Sequence, residues 1–472
     1  MERSESLSVA LPAVCILVSY FFTYVVKYSI FVVDYGDTTV GGVALKELFG
    51  YALTVGYGVG KIPAYMFAPG IQRRYRLRTL VLLNAAYATL SVIFLPFGAP
   101  LAILQVLGLA LGCAVASAIF GLVLAYVEGR RSSEILLATL NMVVVFGAGI
   151  CRALARKVLD LGVPGRWMPA ACTLAYAPLA FTALYVLDAM PEPSAADVAS
   201  RSARVPMIST DKTRFLQRHW LGLGAVLAGY MALIGYRSFR DFFAREIYRE
   251  ALDREATATE YLLADSVGGG LSCLLLLAMS RSKNNGRALV LMHWMLLTGG
   301  VIMGGSTLLH AFALIGPLGW IVLVGTGVYV ALTPFCGAYF DRIIAVTRTR
   351  GTSVFLVFLA DGLGYVGTFA LLLFKTLSVK AMSFERAFVL ASYVCAVALS
   401  AGSLAAMAYW SGDDRRQGVT VTVAGGGVGQ QRRHGAYRPT EQEDWNDIVD
   451  TDGGSHISIV SDIASATNMG LD

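Results

Sequence analysis

The residues of this chain with chemical potential are charged groups set inside apolar runs. Within one run long enough to lie in lipid, Gly235-Tyr236-Arg237-Ser238-Phe239-Arg240-Asp241-Phe242-Phe243 carries two arginines and an aspartate. A cation near the bilayer core costs on the order of a few kcal/mol, so it usually faces a protein interior or a watery cavity, where it can meet an anion. Tyr230 precedes Arg237 by seven positions, and Tyr20 precedes Lys27 by the same seven in an earlier run, so one half of the chain echoes the other. Lys27 and Arg237 both fall in the outer half of their runs. There they either snorkel to the interface or face a shared cavity. Arg240 has Asp241 as its neighbour, which suits a structural ion pair or a helix-end contact as well as ligand binding. Lys61 lies deep in its run with no acidic partner nearby, and Gly56, Gly58 and Gly60 beside it let another helix approach closely. Asp361 falls near the middle of a run, flanked by Gly362 and Gly364. A carboxylate there is either a proton carrier or the partner of a cation such as Lys61 or Arg152. Asp265, before Gly268-Gly269-Gly270, leaves the same two readings open.

These residues need elements to hold them, and the composition says which. With 56% hydrophobic residues and 15% charged, the chain has too little polar surface to wrap a soluble core. Its net charge of +6 bears on membrane topology, because Lys and Arg mark the cytoplasmic side; nucleic acid is not an expected partner. Seven cysteines fall in apolar runs without CxxC or Cys/His clustering, so they read as small core residues and no metal site is expected. The five histidines are scattered, and no HExxH, GxSxG or Walker-type loop occurs. Neither catalysis nor a cofactor is expected.

A spanning helix needs about 20 mostly apolar residues. Candidates fall at 9–33, 47–68, 77–97, 100–127, 133–157, 167–190, 216–241, 258–280, 286–311, 314–341, 352–375 and 384–410. The first is too long for a signal peptide and is expected to be an uncleaved span. Arginines follow spans two, four, eight and ten, at Arg73 to Arg78, Arg130 and Arg131, Arg281 to Arg287, and Arg342 to Arg350. These turns and both termini are expected in the cytosol. Two places break the pattern: the basic cluster Arg152, Arg156, Lys157 and Arg166, and the mixed charges from Arg237 to Glu260, read as functional or as an external helix. The expected organisation is an N-terminal bundle over 1–190, a cytoplasmic linker over 191–215, a C-terminal bundle over 216–410 and a disordered cytosolic tail over 411–472.

The ends of spans four and ten, Ala125-Tyr126-Val127-Glu128 and Ala338-Tyr339-Phe340-Asp341, match at a shift of 213, close to the 210 of the tyrosine–cation pairs. Two parallel six-helix repeats resemble the major facilitator superfamily, which implies an all-α polytopic fold of twelve transmembrane helices with a site between the halves. Gly56-Tyr57-Gly58-Val59-Gly60-Lys61-Ile62-Pro63, followed by basic residues, resembles the span-two pattern of its organophosphate:phosphate antiporter branch. Glu128-Gly129-Arg130-Arg131-Ser132-Ser133-Glu134, Arg166-Trp167-Met168-Pro169, Phe239-Arg240-Asp241-Phe242-Phe243 and Leu359-Ala360-Asp361-Gly362-Leu363-Gly364-Tyr365 are similar to a family of facilitator-like proteins of unknown function.

The antiporter resemblance implies basic phosphate ligands on spans one, two and seven. They map to Lys27, Lys61 and Arg237, or Arg240 in a rival alignment. The branch's span-five histidine falls on Val144, leaving Arg152 as the nearest polar substitute, and the usual aspartate after span two is replaced by Phe67-Ala68-Pro69-Gly70. These departures weigh against phosphate exchange and leave an anionic solute open. Resemblance also implies a cytoplasmic gate of ion pairs formed by Glu128, Arg130, Arg131, Asp341 and Arg342, for which plain positive-inside topology is the alternative. The reading is a monomeric secondary transporter of a small, anionic solute in the lipid bilayer. The competing reading is a non-transporting sensor or scaffold whose tail recruits a cytosolic partner.

Overall fold

The computed structural model describes residues 2–67, 70–127, 133–191, 209–280, 284–336, 339–347, 349, 353–378 and 382–423. Almost all of them are helical. In order these are α1 (Glu2–Val32), α2 (Leu45–Phe67), α3 (Arg73–Val92), α4 (Ala102–Ala116), α5 (Ile119–Val127), α6 (Ser133–Asp160), α7 (Met168–Asp188) and α8 (Ser209–Phe242). There follow α9 (Ala244–Leu252), α10 (Ala258–Ser280), α11 (Asn285–Ala311), α12 (Pro317–Cys336), α13 (Tyr339–Val346), α14 (Val354–Ser378) and α15 (Phe384–Val423). A two-residue hairpin, Thr39–Val40 with Val43–Ala44, turns at Gly41 and Gly42, whose φ values of 62° and 81° suit glycine.

Among the described residues, ten of the spans are long and apolar enough to cross a membrane. α2 and α6, 23 and 28 residues long, occupy the second and fifth places that the sequence gives to spans. The chain is an all-α, polytopic membrane protein. Span four breaks at Ser117 into α4 and α5, and span ten ends at Cys336 with α13 following as a separate short helix. α8 begins at Ser209, inside the expected linker, and α15 continues past 410 to Val423. The rest of the linker, 192–208, and of the tail, 424–472, lies outside the described residues. The mixed-charge segment after span seven folds as α9, which buries Ala244, Ile247 and Tyr248.

Alternating spans bring the C-terminal ends of α2, α5 and α10 and the N-terminal ends of α3, α6 and α11 to one face, here the terminal face. The α1–α2 and α6–α7 connections and α9 lie at the other, the far face. Within one compact unit, Met1–Arg416, α1 packs on α6 and α7, α2 on α4, and α8 on α14; α6 meets α10 and α2 meets α14 across the repeat. Glycine permits the closest crossings. A Cβ on Gly56 or Gly60 would stand 2.3 Å from the Ala110 or Ala114 carbonyl of α4, as small residues at membrane helix contacts allow. Gly268 and Gly269 do likewise against Thr326 and Phe146, so this glycine run serves packing. All seven cysteines are free, five of them buried.

Candidate functional site

α8 presents Arg237, Arg240 and Asp241 at i, i+3 and i+4, a spacing that puts all three on neighbouring parts of one face. That face meets α6 and α10 in the half of the spans nearer the far face. Arg152 of α6 donates to Asp241 Oδ1 at 3.0 Å and to Asp265 Oδ2 of α10 at 2.6 Å. Arg240 donates to Asp265 Oδ1 at 2.7 Å, not to its neighbour Asp241. Tyr28 of α1 donates its hydroxyl to Asp241 Oδ2 at 3.0 Å. Arg237 Nε is 3.8 Å from Asp241, and its Nη2 donates to the Val144 carbonyl at 2.5 Å. Val144 is the position where the antiporter alignment expects a histidine, so a backbone acceptor meets a guanidinium there.

Burial is nearly complete for the four central members: side-chain exposures of Arg152, Arg240, Asp241 and Asp265 are 2–3%. Two carboxylates face three guanidiniums, and Nε of Arg152, Arg237 and Arg240 and Nη1 of Arg240 have no hydrogen-bond partner among the described residues. The cluster therefore keeps an excess of positive charge and of donors. In a low-dielectric setting such a charge excess attracts anions strongly.

Lys27 lies beside this cluster without joining it. Its ammonium stands over the rings of Tyr28, Tyr57 and Phe242, at 4.9, 5.7 and 5.8 Å from their centroids. Among the described residues no carboxylate comes within ion-pair distance of it.

Lys61 and Asp361 form a second site, in the half nearer the terminal face. They pair across α2 and α14, Tyr230 donates to the other carboxylate oxygen at 3.4 Å, and Lys61 stands 5.4 Å over the Tyr365 ring. Side-chain exposures are 29% and 32%. The structure thus brings together eight charged residues singled out in sequence, with Tyr28, Tyr230 and Tyr365 beside them, in two layers on α1, α2, α6, α8, α10 and α14.

The sequence matches a family model over residues 29–412, most of its length. The chain belongs to a family of unknown function, DUF5690. No curated protein matches it. Among solved structures, this DUF5690 chain is similar to the crystal structure of a D-xylose-proton symporter, at TM-score 0.54 and 13% identity, covering 83% of this chain and 96% of that one. It is also similar to the xylose transporter XylE from E. coli in a partially occluded inward-open conformation, at 0.54 and 12%, covering 85% and 96%. The major facilitator superfamily transporter FucP in its outward conformation gives 0.53 and 15%, covering 84% and 98%. At these identities the likeness establishes the major facilitator fold for the DUF5690 chain.

The expected gate is only partly in view. Glu128, Arg130 and Arg131 lie outside the described residues. Asp341 and Arg342 are not paired with each other: Asp341 accepts from Ser353 and Arg342 donates to Asn285.

Sequence reasoning missed the ion pairs of the far face. Lys46 pairs with Glu246 of α9 at 2.6 Å, Arg245 pairs with Asp34 at 2.9 Å and with Glu255, and Arg156 reaches Glu255 at 3.4 Å. The mixed charges from Arg237 to Glu260 were the signal; their partners Lys46 and Asp34 stand some 200 positions earlier and Arg156 some 100, where no local pattern points to them. Burial would raise the Asp34 carboxyl, but the Gly36 amide and the Arg245 guanidinium outweigh it and hold Asp34 below the usual carboxylate range. Tyr28 was missed because its role comes from a contact across the repeat.

Proposed function

We propose that this protein is a secondary transporter that moves a small anionic solute by alternating access, with Lys27, Lys61 and Arg237 drawing the anion inward. One observation carries the reading: Lys27 is held among aromatic rings inside the membrane with no carboxylate partner among the described residues. An uncompensated cation in that setting is costly, and the usual reason to keep one is function. The excess positive charge of the neighbouring arginine cluster acts in the same direction, as does the resemblance of span two to the organophosphate:phosphate antiporters.

The two halves, 1–190 and 216–410, rock against each other, and Asp361 holds Lys61 until an anion competes for it. Arg152 and Arg240, tied to Asp241 and Asp265, shape the potential of the site from behind Lys27. With arginines at its turns, the terminal face is the cytosolic one. The cytosolic gate combines Glu128, Arg130 and Arg131 with Asp341 and Arg342.

The test is thermal stability of the purified protein with phosphate, phosphate esters, carboxylates and neutral analogues, since a ligand that binds the native state raises the melting point by mass action. One anion class raises the wild-type melting point, and the shift disappears in Lys27→Gln and in Lys61→Ala. Equal shifts in wild type and both variants would remove these lysines from the site, and no shift with any anion would sink the anion reading.

A further inference from the structure

The half-buried tyrosines around the two lysines bear on what the solute looks like. On α1, Tyr20, Tyr24 and Lys27 follow at i, i+4 and i+7, and on α2 Thr54, Tyr57 and Lys61 do nearly the same, so each helix turns a tyrosine-and-lysine face to one side. On α14, Asp361 and Tyr365 share a face at i and i+4. Tyr20, Tyr24, Tyr57 and Tyr365 are half-buried, whereas Tyr28, Tyr87, Tyr236 and Tyr329 are sealed in packing.

The open tyrosines belong to one locality. Tyr20 and Tyr24 have ring centroids 6.0 Å apart, and Tyr20 is within electrostatic reach of Tyr365 and Asp361. Tyr57 is beside Lys27, and Tyr365 beside Lys61. Gly58 of α2 faces the Tyr365 ring, which lies 3.8 Å from where a Cβ would stand.

α1, α2 and α14 contain no Asn or Gln, so tyrosine hydroxyls and rings make up most of the surface these faces turn toward the two lysines. Rings that offer π-faces and edges, next to cations, suit an anion whose body is itself a flat ring.

Resting on the anion reading above, we propose that the solute is an aromatic carboxylate, its carboxylate held by Lys27 and its ring packed between Tyr20 and Tyr57. Ring-on-ring contact adds affinity beyond the area buried, whereas charge attraction alone treats all monocarboxylates of similar size alike.

The experiment compares benzoate, cyclohexanecarboxylate and acetate by the dissociation constants they show with the purified full-length protein in detergent. Benzoate is expected to bind about fivefold or more tighter than cyclohexanecarboxylate, which has the same charge and nearly the same size. Tyr57→Phe should keep that ratio and Tyr57→Leu should bring it to about one, with Tyr20→Leu as a second probe if Tyr57→Leu does not fold. If all three acids bind alike, the ring proposal is overturned and the anion reading stands. Tighter binding of benzoate that persists in both leucine variants would also overturn it, because the ring would then be recognised elsewhere. If no carboxylate binds and a phosphate compound does, the proposal fails alone; if no anion binds at all, both fall together.

Discussion

The two charged layers inside the spans differ in how far they are closed off. Around Asp265, two guanidiniums and two carboxylates are 2–3% exposed, and each carboxylate receives at least two donors. Around Asp361, one lysine and one carboxylate are about a third exposed and tied by a single ion pair with one long tyrosine contact. The first arrangement cannot release a member without leaving a bare charge in low dielectric, whereas the second can exchange its carboxylate for an outside anion at little loss. Tightly sealed charges hold helices together; loosely sealed ones are free to take part in binding.

The sharpest way to break this comparison is Asp265→Ala. It strips Arg240 of its carboxylate and leaves Arg152 with Asp241 alone, and loss of a buried partner costs about 3–5 kcal/mol, read as a large drop in melting temperature or loss of folded protein. A variant that melted within a degree or two of wild type would show that the layer is not a structural tie.

Next in size is the link at the far face. Lys46→Glu and Glu246→Lys should each destabilise, and the double exchange should recover about 1 kcal/mol or more of coupling, because contacting pairs depart from additivity. Purely additive melting data would dissolve this tie between α2 and α9.

Asp361→Asn is expected to change stability by about 1 kcal/mol or less, as for a half-exposed pair. Freeing Lys61 should tighten binding of the stabilising anion several-fold by raising the fraction of competent protein. Weaker binding on isothermal titration would place Asp361 among the groups that hold the solute rather than compete with it.

The smallest effect belongs to Asp34. With its folded-state value held below the usual range, its contribution to stability is complete above pH ~4 and is lost as the pH falls through the lower folded value. Asp34→Asn should flatten that acid limb of the melting curve slightly, by a few tenths of a kcal/mol, and an unchanged limb would take Asp34 out of the account.

Which residues cross the membrane was plain in the chain itself. Apolar runs of about 20 residues, interrupted by arginine turns, marked most spans to within a few positions, with α8 starting seven residues early and α15 running thirteen residues on, since lipid leaves backbone groups few alternatives to a helix. The exceptions were local: the break at Ser117, the separate α13 and the folding of α9 depend on neighbours rather than on hydropathy. The ionisable residues that matter were also visible, because charge inside an apolar run stands out by its cost.

Their partners were not. Sequence placed Asp241 beside Arg240, yet Arg240 bonds to Asp265, and Arg152, offered as a substitute ligand, bridges both aspartates. Asp361 had two possible cations and took Lys61. Lys27 came out with rings for neighbours instead of a carboxylate. Helical spacing gives each charge a face, but which faces meet is set by glycine-permitted crossings such as α2 on α4 and by the packing of α6 on α10 and α2 on α14. Partners between 25 and 300 positions apart are joined only when those crossings form, so the sequence by itself determined the spans and the inventory of charges, and the tertiary structure decided which charges cancel and which remain to act.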